Sequence, residues 1–325
     1  MRPSGTDVRY AYATGRVRAL ESTFLTDAEL SRMAEAADAR AAAEFLREFP
    51  RYAEVPTSLA SISALERALE AALNALRREV RSLSRDPDFT DVWLARFDLS
   101  AAKAALRSTA LSPAREAEGP GAAEGALPAS LSPVLRGLYA EAAQIARDTD
   151  DPFLVDCRLD AGYADLLCAA ARRLASPLLA EFAVFSADLY NVRALLRARR
   201  IGLVVEKRGF LFARAGVLSV ADLLQAFREE TEIPPFLSRG RYAGLLGPHH
   251  DTAGDTFLEE VDLLVDNALT DFLRPAKLFS FGIEPLVGYA HALVLEVSNV
   301  RAVLAGKLLG MTPGDIRQRL RKSYV

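Results

Sequence analysis

One pattern of eleven residues occurs three times along the chain, and it constrains the fold more than any other feature. Phe97-Asp98-Leu99-Ser100-Ala101-Ala102-Lys103-Ala104-Ala105-Leu106-Arg107 aligns with Ala187-Asp188-Leu189-Tyr190-Asn191-Val192-Arg193-Ala194-Leu195-Leu196-Arg197 and with Leu295-Glu296-Val297-Ser298-Asn299-Val300-Arg301-Ala302-Val303-Leu304-Ala305. Each copy carries an acid, an apolar residue beside it, a base five places after the acid, then Ala and an aliphatic pair or its equivalent. The acids stand 90 and 108 residues apart. Copies two and three also end alike, at Ile201-Gly202 and Leu309-Gly310, and Arg16-Val17-Arg18-Ala19-Leu20 is a weaker fourth echo. Glu66/Leu69 and Asp156/Leu159 mark a second helix 32 and 29 residues before the motif acid, and Asp262 stands 34 before the third. Repeats near 100 residues are far longer than solenoid units. They imply three similar units, at 8–111, 112–217 and 218–325, set around a common axis or along an arc.

Apolar residues recur at helical spacing almost throughout, as at Leu65, Leu69, Leu73 and Leu76. Oxygen-bearing caps followed three residues later by an acid mark helix starts at Thr26/Glu29, Ser63/Glu66, Ser219/Asp222 and Thr312/Asp315, with Pro313 at a first helical position. Only 202–212 could pair briefly as a strand. Two stretches rich in Pro and Gly, 112–133 and 232–255, read as long irregular connections. Abundant Ala lets helices approach closely. The expected fold is all-α.

Within the motif helix, Asp188, Asn191, Val192 and Leu195 share one face, so a carboxylate and an amide lie beside an apolar stripe. Arg193 is five residues from Asp188 and misses the usual i+4 pairing. Its expected partners are charges on the neighbouring helix of the same unit. The competing reading places Lys103, Arg193 and Arg301 on a surface that binds a partner.

The rest of the chain offers little chemistry. A net charge of −3 excludes a whole-chain basic footprint for nucleic acid. Two cysteines cannot make a disulfide scaffold, which fits a reducing, cytosolic compartment. Residues 1–15 lack the apolar core of a signal peptide, and the most apolar stretch, 282–311, is interrupted by Glu284, Glu296, Arg301 and Lys307, so a soluble chain is expected. No phosphate-binding Gly-rich loop ends in Lys-Ser/Thr, and 202–216 lacks dinucleotide spacing. His249 and His250 are adjacent and point apart on a loop, while His291 sits on an apolar helix as a core or boundary residue. Cys157 and Cys168 fall on one helix face about 16 Å apart and serve packing. Glu229-Glu230 and Glu259-Glu260 read as solvated helix faces, and Trp93, opening the first motif helix, as core. No catalytic, cofactor or metal residue is assigned. The terminal segment 316–322 carries Arg317, Arg319, Arg321 and Lys322, either as a solvated helix or as a contact for an acidic loop or anionic headgroups.

The ordered series resembles a known family: the C subunit of V-type and A-type ATPases, whose eukaryotic relative is the d subunit. Tyr10-Ala11-Tyr12 followed by Arg16-Val17-Arg18-Ala19-Leu20-Glu21 and Leu25 is similar to the family's opening helix. The copies at 188–197 and 296–301 are similar to its characteristic helices. Ala213-Arg214-Ala215-Gly216-Val217-Leu218-Ser219 matches its Gly-rich turn, with one glycine in place of the usual pair. The 112–133 loop departs from the family's tidier version.

The resemblance implies a funnel of three helical domains, present once per complex in the rotor. It would join the central-stalk subunits D and F to the membrane proteolipid ring, peripherally on the cytoplasmic face. Such a subunit transmits torque and binds no nucleotide or nucleic acid. The candidate partner-facing cations are Lys103, Arg193, Arg197, Arg301, Arg317 and Arg321. A free-standing helical scaffold is the rival reading. An enzyme is a distant third, requiring a pocket that joins His249, His250 or Cys168 to acids.

Overall fold

The computed structural model describes residues 5–53, 55, 61–110, 131–149, 151–203, 211–228, 240–243, 245 and 256–324. Among these the structure is helical, with no strand, so the fold is all-α. His249, His250, Glu229, Glu230, most of the two irregular connections and most of the 202–212 stretch lie outside the described residues. The chain forms two compact units, Met1–Arg85 with Asp262–Val325, and Asp86–Val261. The first contains the third motif copy together with the N-terminal residues. The second contains motif copies one and two.

In the first unit the chain opens with α1 (Ala11–Glu21), α2 (Asp27–Glu35), α3 (Ala39–Leu46) and α4 (Ile62–Leu83). The α2 start is a complete capping box, with Thr26 and Glu29 each bonding the other's backbone N–H. The α4 start differs from expectation. Ser61, not Ser63, is the cap and accepts from the Ala64 N–H, because the helix already begins at Ile62. Leu65, Leu69, Ala72, Leu76, Val80 and Leu83 form the buried stripe of α4.

The second unit holds α5 (Pro87–Ala95), α6 (Leu99–Ala110), α7 (Arg136–Thr149), α8 (Pro152–Ala171), α9 (Pro177–Arg200) and α10 (Val220–Arg228). At its centre α8 packs against α5, α6, α7 and α9. Leu154, Leu159, Ala161 and Ala171 of α8 have no exposed surface. Trp93 is core, 2% exposed, but lies on α5 rather than on the motif helix. A 3-10 turn at Arg96–Asp98 separates the two helices, whereas copies two and three each sit within one uninterrupted helix.

The helix α11 (Phe257–Leu273) is followed by α12 (Glu284–Leu308) and α13 (Pro313–Gln318). A 25-residue helix is about 37 Å long, and α12 is apolar all round, as suits a helix enclosed by others. Within the first unit it is covered by α1, α2, α3, α4 and α13. The shared ending of copies two and three has a physical basis. Gly202 and Gly310 adopt φ of 65° and 71°, and the next residues, Leu203 and Met311, donate back to Ala198 and Gly306 at 2.9 Å. This left-handed stop is the usual glycine-terminated helix end.

Cys157 and Cys168 are buried and free on α8, with thiols pushed up to about 12 by burial. Among the described residues no helix is long and apolar enough to cross a membrane. Leu159→Ala should lower the stability of the second unit by about 2–5 kcal/mol, read by denaturant unfolding, since the side chain has no route to solvent. A loss below about 1 kcal/mol would show that α8 is not the packing centre.

Candidate partner interface and its buried acid clasps

The cations expected at an interface are held first by their own units. Lys103 on α6 pairs with Asp160 on α8 at 2.7 Å, and Arg301 on α12 pairs with Glu66 on α4 at 2.8 Å. Arg321 pairs with Asp266 at 2.7 Å, and Arg317 pairs with Glu35. Arg193 and Arg197 are half-buried on α9 and engaged in contacts there. The partners of Lys103 and Arg301 belong to the upstream helix of the next repeat copy, not of their own. The expectation of pairing within a repeat is corrected accordingly. Both partners of Arg301–Glu66 are over a third exposed, so that pair contributes at most about 1 kcal/mol.

The basic residues of 316–322 are likewise anchored. Lys322 bonds Asp271 at 2.8 Å and takes the Asn267 side chain on its N–H. His291 is buried, with Nε2 3.4 Å from Thr270 Oγ1. Glu259 and Glu260 are exposed, as expected of a solvated face.

The three motif acids behave differently from the bases. All are buried: Asp98 at 5%, Asp188 at 0% and Glu296 at 6% exposure. Each accepts a backbone N–H where the chain enters another helix. Asp98 takes Ser132, the cap of the turn Pro133–Leu135, at 3.1 Å. Asp188 takes Leu218 at 2.9 Å, just before the Ser219 cap of α10. Glu296 takes Leu25 at 2.5 Å, just before the Thr26 cap of α2. A buried carboxylate requires such donors, because desolvating it unpaired is prohibitive.

Two of these acids bind a second copy of the same turn. Arg51-Tyr52 and Arg241-Tyr242, each followed by Ala, end the short 3-10 segments Pro50–Tyr52 and Gly240–Tyr242. The Tyr52 hydroxyl donates to Glu296 at 2.9 Å, and the Tyr242 hydroxyl donates to Asp188 at 2.6 Å. In the first unit Arg51 adds an ion pair to Glu296 at 2.6 Å and lies 4.9 Å from the Phe24 ring. Three residues after each acid, Asn191 and Asn299 clasp a backbone peptide with both ends of the amide. Asn191 bonds the N–H and C=O of Ala213, and Asn299 those of Arg321, in each case 22 residues on. The motif acids and asparagines were legible in the sequence. The Arg-Tyr-Ala turn was missed, although its repetition was there to be found.

Gly216 is the one residue of the 213–219 turn whose lack of a side chain is essential. A Cβ there would lie 2.2 Å from Asp188 Oδ1. The single glycine of this turn therefore leaves the Asp188 clasp complete. Beside Glu296, a cavity of about 10 Å3 lined by Leu25, Leu30, Asn299 and Tyr324 is the size of one water.

The family model described as ATP synthase (C/AC39) subunit matches residues 13–319. The chain belongs to that family. It is 24% identical to the A-type ATP synthase C subunit of Methanocaldococcus jannaschii over 351 aligned positions, covering 96% of this chain and 86% of that one. It is 23% identical over 204 residues to the A-type ATP synthase C subunit of two Halobacterium salinarum strains, covering 59% of this chain. There the match spans 56% of the relatives' own length.

Burial pushes the Glu296 carboxyl above its ordinary value of 4.5, against the opposing pull of Arg51, the Leu25 N–H and Tyr52. The folded state then holds this proton more tightly than the unfolded chain does. Stability from this group is complete below pH 4.5 and declines as pH rises through the folded value. Measured against Glu296→Gln, the wild-type chain should lose relative stability as pH climbs out of the acid range; a relative gain would reverse the assignment. Gly216→Ala should cost about 1–3 kcal/mol by overpacking on Asp188. Gly15→Ala, with nothing within 4 Å, should instead gain about 0.5–1 kcal/mol. Equal effects in the two unfolding curves would exclude the close approach at Gly216.

Proposed function

We propose that this chain is the non-catalytic rotor subunit of a V/A-type ATPase or ATP synthase. In this reading it joins the central-stalk subunits D and F to the membrane proteolipid ring and transmits torque between ATP turnover and ion transport. It acts as a single copy, peripheral on the cytoplasmic face, and carries three repeats at 8–111, 112–217 and 218–325 in a funnel-like arrangement. The observation that carries the proposal is the family match across 13–319. The helical fold and the clasps fit the task, since a torque coupler needs stiffness and two interfaces rather than a reagent. Close-packed helical interiors transmit strain instead of absorbing it.

The interface is assigned to Lys103, Arg193, Arg197, Arg301, Arg317 and Arg321. Their contacts within the chain hold the guanidinium and ammonium groups in fixed positions, which lowers the entropy lost when an acidic partner docks. A stable junction of this kind would bury on the order of 1,200–2,000 Å2.

Reversing charge at Arg193 and Arg301 together, each to Glu, tests the assignment in the assembled complex. Ion transport per ATP should fall at least twofold while the detached nucleotide-hydrolysing head keeps its activity. Unchanged coupling in a correctly assembled complex would make both residues purely structural. Failure of the wild-type chain to assemble with stalk and ring subunits would overturn the rotor reading itself.

A further inference from the structure

The two acid–asparagine clasps differ in one respect: where the covalent chain runs. In the second unit, the segment held by Asn191 at Ala213 continues through Gly216 to Leu218, which Asp188 holds, and on to Tyr242, which Asp188 also holds. In the first unit Asn299 holds Arg321, near the chain's end, yet the residues held by Glu296 are Leu25 and Tyr52, near its start. The neighbouring contacts match as well. Asp165 on α8 accepts from Arg214, the residue after the one clasped by Asn191, and Asn267 on α11 accepts from Lys322, the residue after the one clasped by Asn299.

We infer that residues 321–324 and residues 24–53 are the halves of one interrupted repeat, with residues 24–53 acting as a latch that closes the first unit onto Glu296. Residues 321–324 begin the segment that follows the clasp, and residues 24–53 finish it. Both ends also meet one stretch of the first unit. A Cβ on Gly5 would lie 2.6 Å from the Phe279 ring, and Lys277 Nζ lies 4.7 Å from the Tyr324 ring centroid. Arg18 on α1 donates to the Lys277 carbonyl at 2.7 Å in the same stretch. One physical consequence is an order of assembly. The Leu25 N–H and the Tyr52 hydroxyl are held by Glu296, and Arg51 gains its ion pair there beside its bond to Thr23, so the latch closes only once α12 has been made. This grouping assigns residues 24–53 to the C-terminal copy instead of to a unit bounded at 8–111, and it does not depend on the rotor reading.

The test moves the break. A protease site placed between Gly216 and Val217 lets the folded chain be cut at the place equivalent to the interruption between residues 324 and 24 in the first unit. The cut chain should keep its helical circular dichroism and run as one species on gel filtration. Adding Asp188→Ala to it should separate the pieces or raise their dissociation at least tenfold, whereas the uncut Asp188→Ala chain remains one piece. Spontaneous separation of the cut chain would overturn the inference, as would a cut chain indifferent to Asp188→Ala. A circular permutant joining Val325 to Met1 by a Gly/Ser linker and opened at the same place gives an independent reading. It should fold with near-native helicity, while a permutant opened between Asn191 and Val192 should not; equal folding of both, or of neither, would contradict the inference.

Discussion

A carboxylate with no access to water must find donors, and here it finds them at a backbone N–H just before the cap of a neighbouring helix. Asp188 and Glu296 each accept from a backbone N–H just outside a helix and from a tyrosine hydroxyl. The arrangement is mutually dependent. Removing the acid strands two donors, and in the first unit it also strands the Arg51 cation, a change that costs about 3–5 kcal/mol in comparable buried pairs. Polar contacts in addition to apolar packing therefore fix α9 to the segment that follows it, and α12 both to residues 25 and 52 and to the following Arg321. Such contacts specify one register, because the donors match only one position of the acceptor.

These clasps give physical content to the family membership. A helical subunit of the kind proposed above resists deformation best where its segments cannot slide over one another. Apolar packing is stiff but leaves more than one register open to a helix. A charge-assisted hydrogen bond at 2.5–2.9 Å in a dry environment does not. The surface ion pairs of Lys103, Arg301 and Arg321 act at lower stakes, since partly exposed charges gain little from each other. They fix where charge is displayed more than they hold the helices together.

Much of this was legible in the sequence. Helical periodicity at Leu65, Leu69 and Leu76 marked α4, and the Thr26/Glu29 and Thr312/Asp315 signatures marked true helix starts. The motif placed Asp188 and Asn191 on one face, and both are fully buried. Other features were hidden because they depend on long-range partners. That Glu296 reaches Leu25, 271 residues away, cannot be read from spacing. The Arg-Tyr-Ala turns at 51–53 and 241–243 escaped notice because each is three residues long, they lie 190 apart, and the same tripeptide also occurs at 9–11. The Ser63 start was misplaced by two residues because Ser61 and Ser63 offer the same hydroxyl, and only the observed first turn selects between them.

Hydrogen exchange at the Leu25 and Leu218 amides tests the central claim most directly. If the buried acids clamp these segments to α12 and α9, both amides should exchange only through global unfolding of their units, at the slow rate shared by the core of each long helix. Exchange of either amide at the rate of a freely fraying helix start would mean that the carboxylate does not hold it.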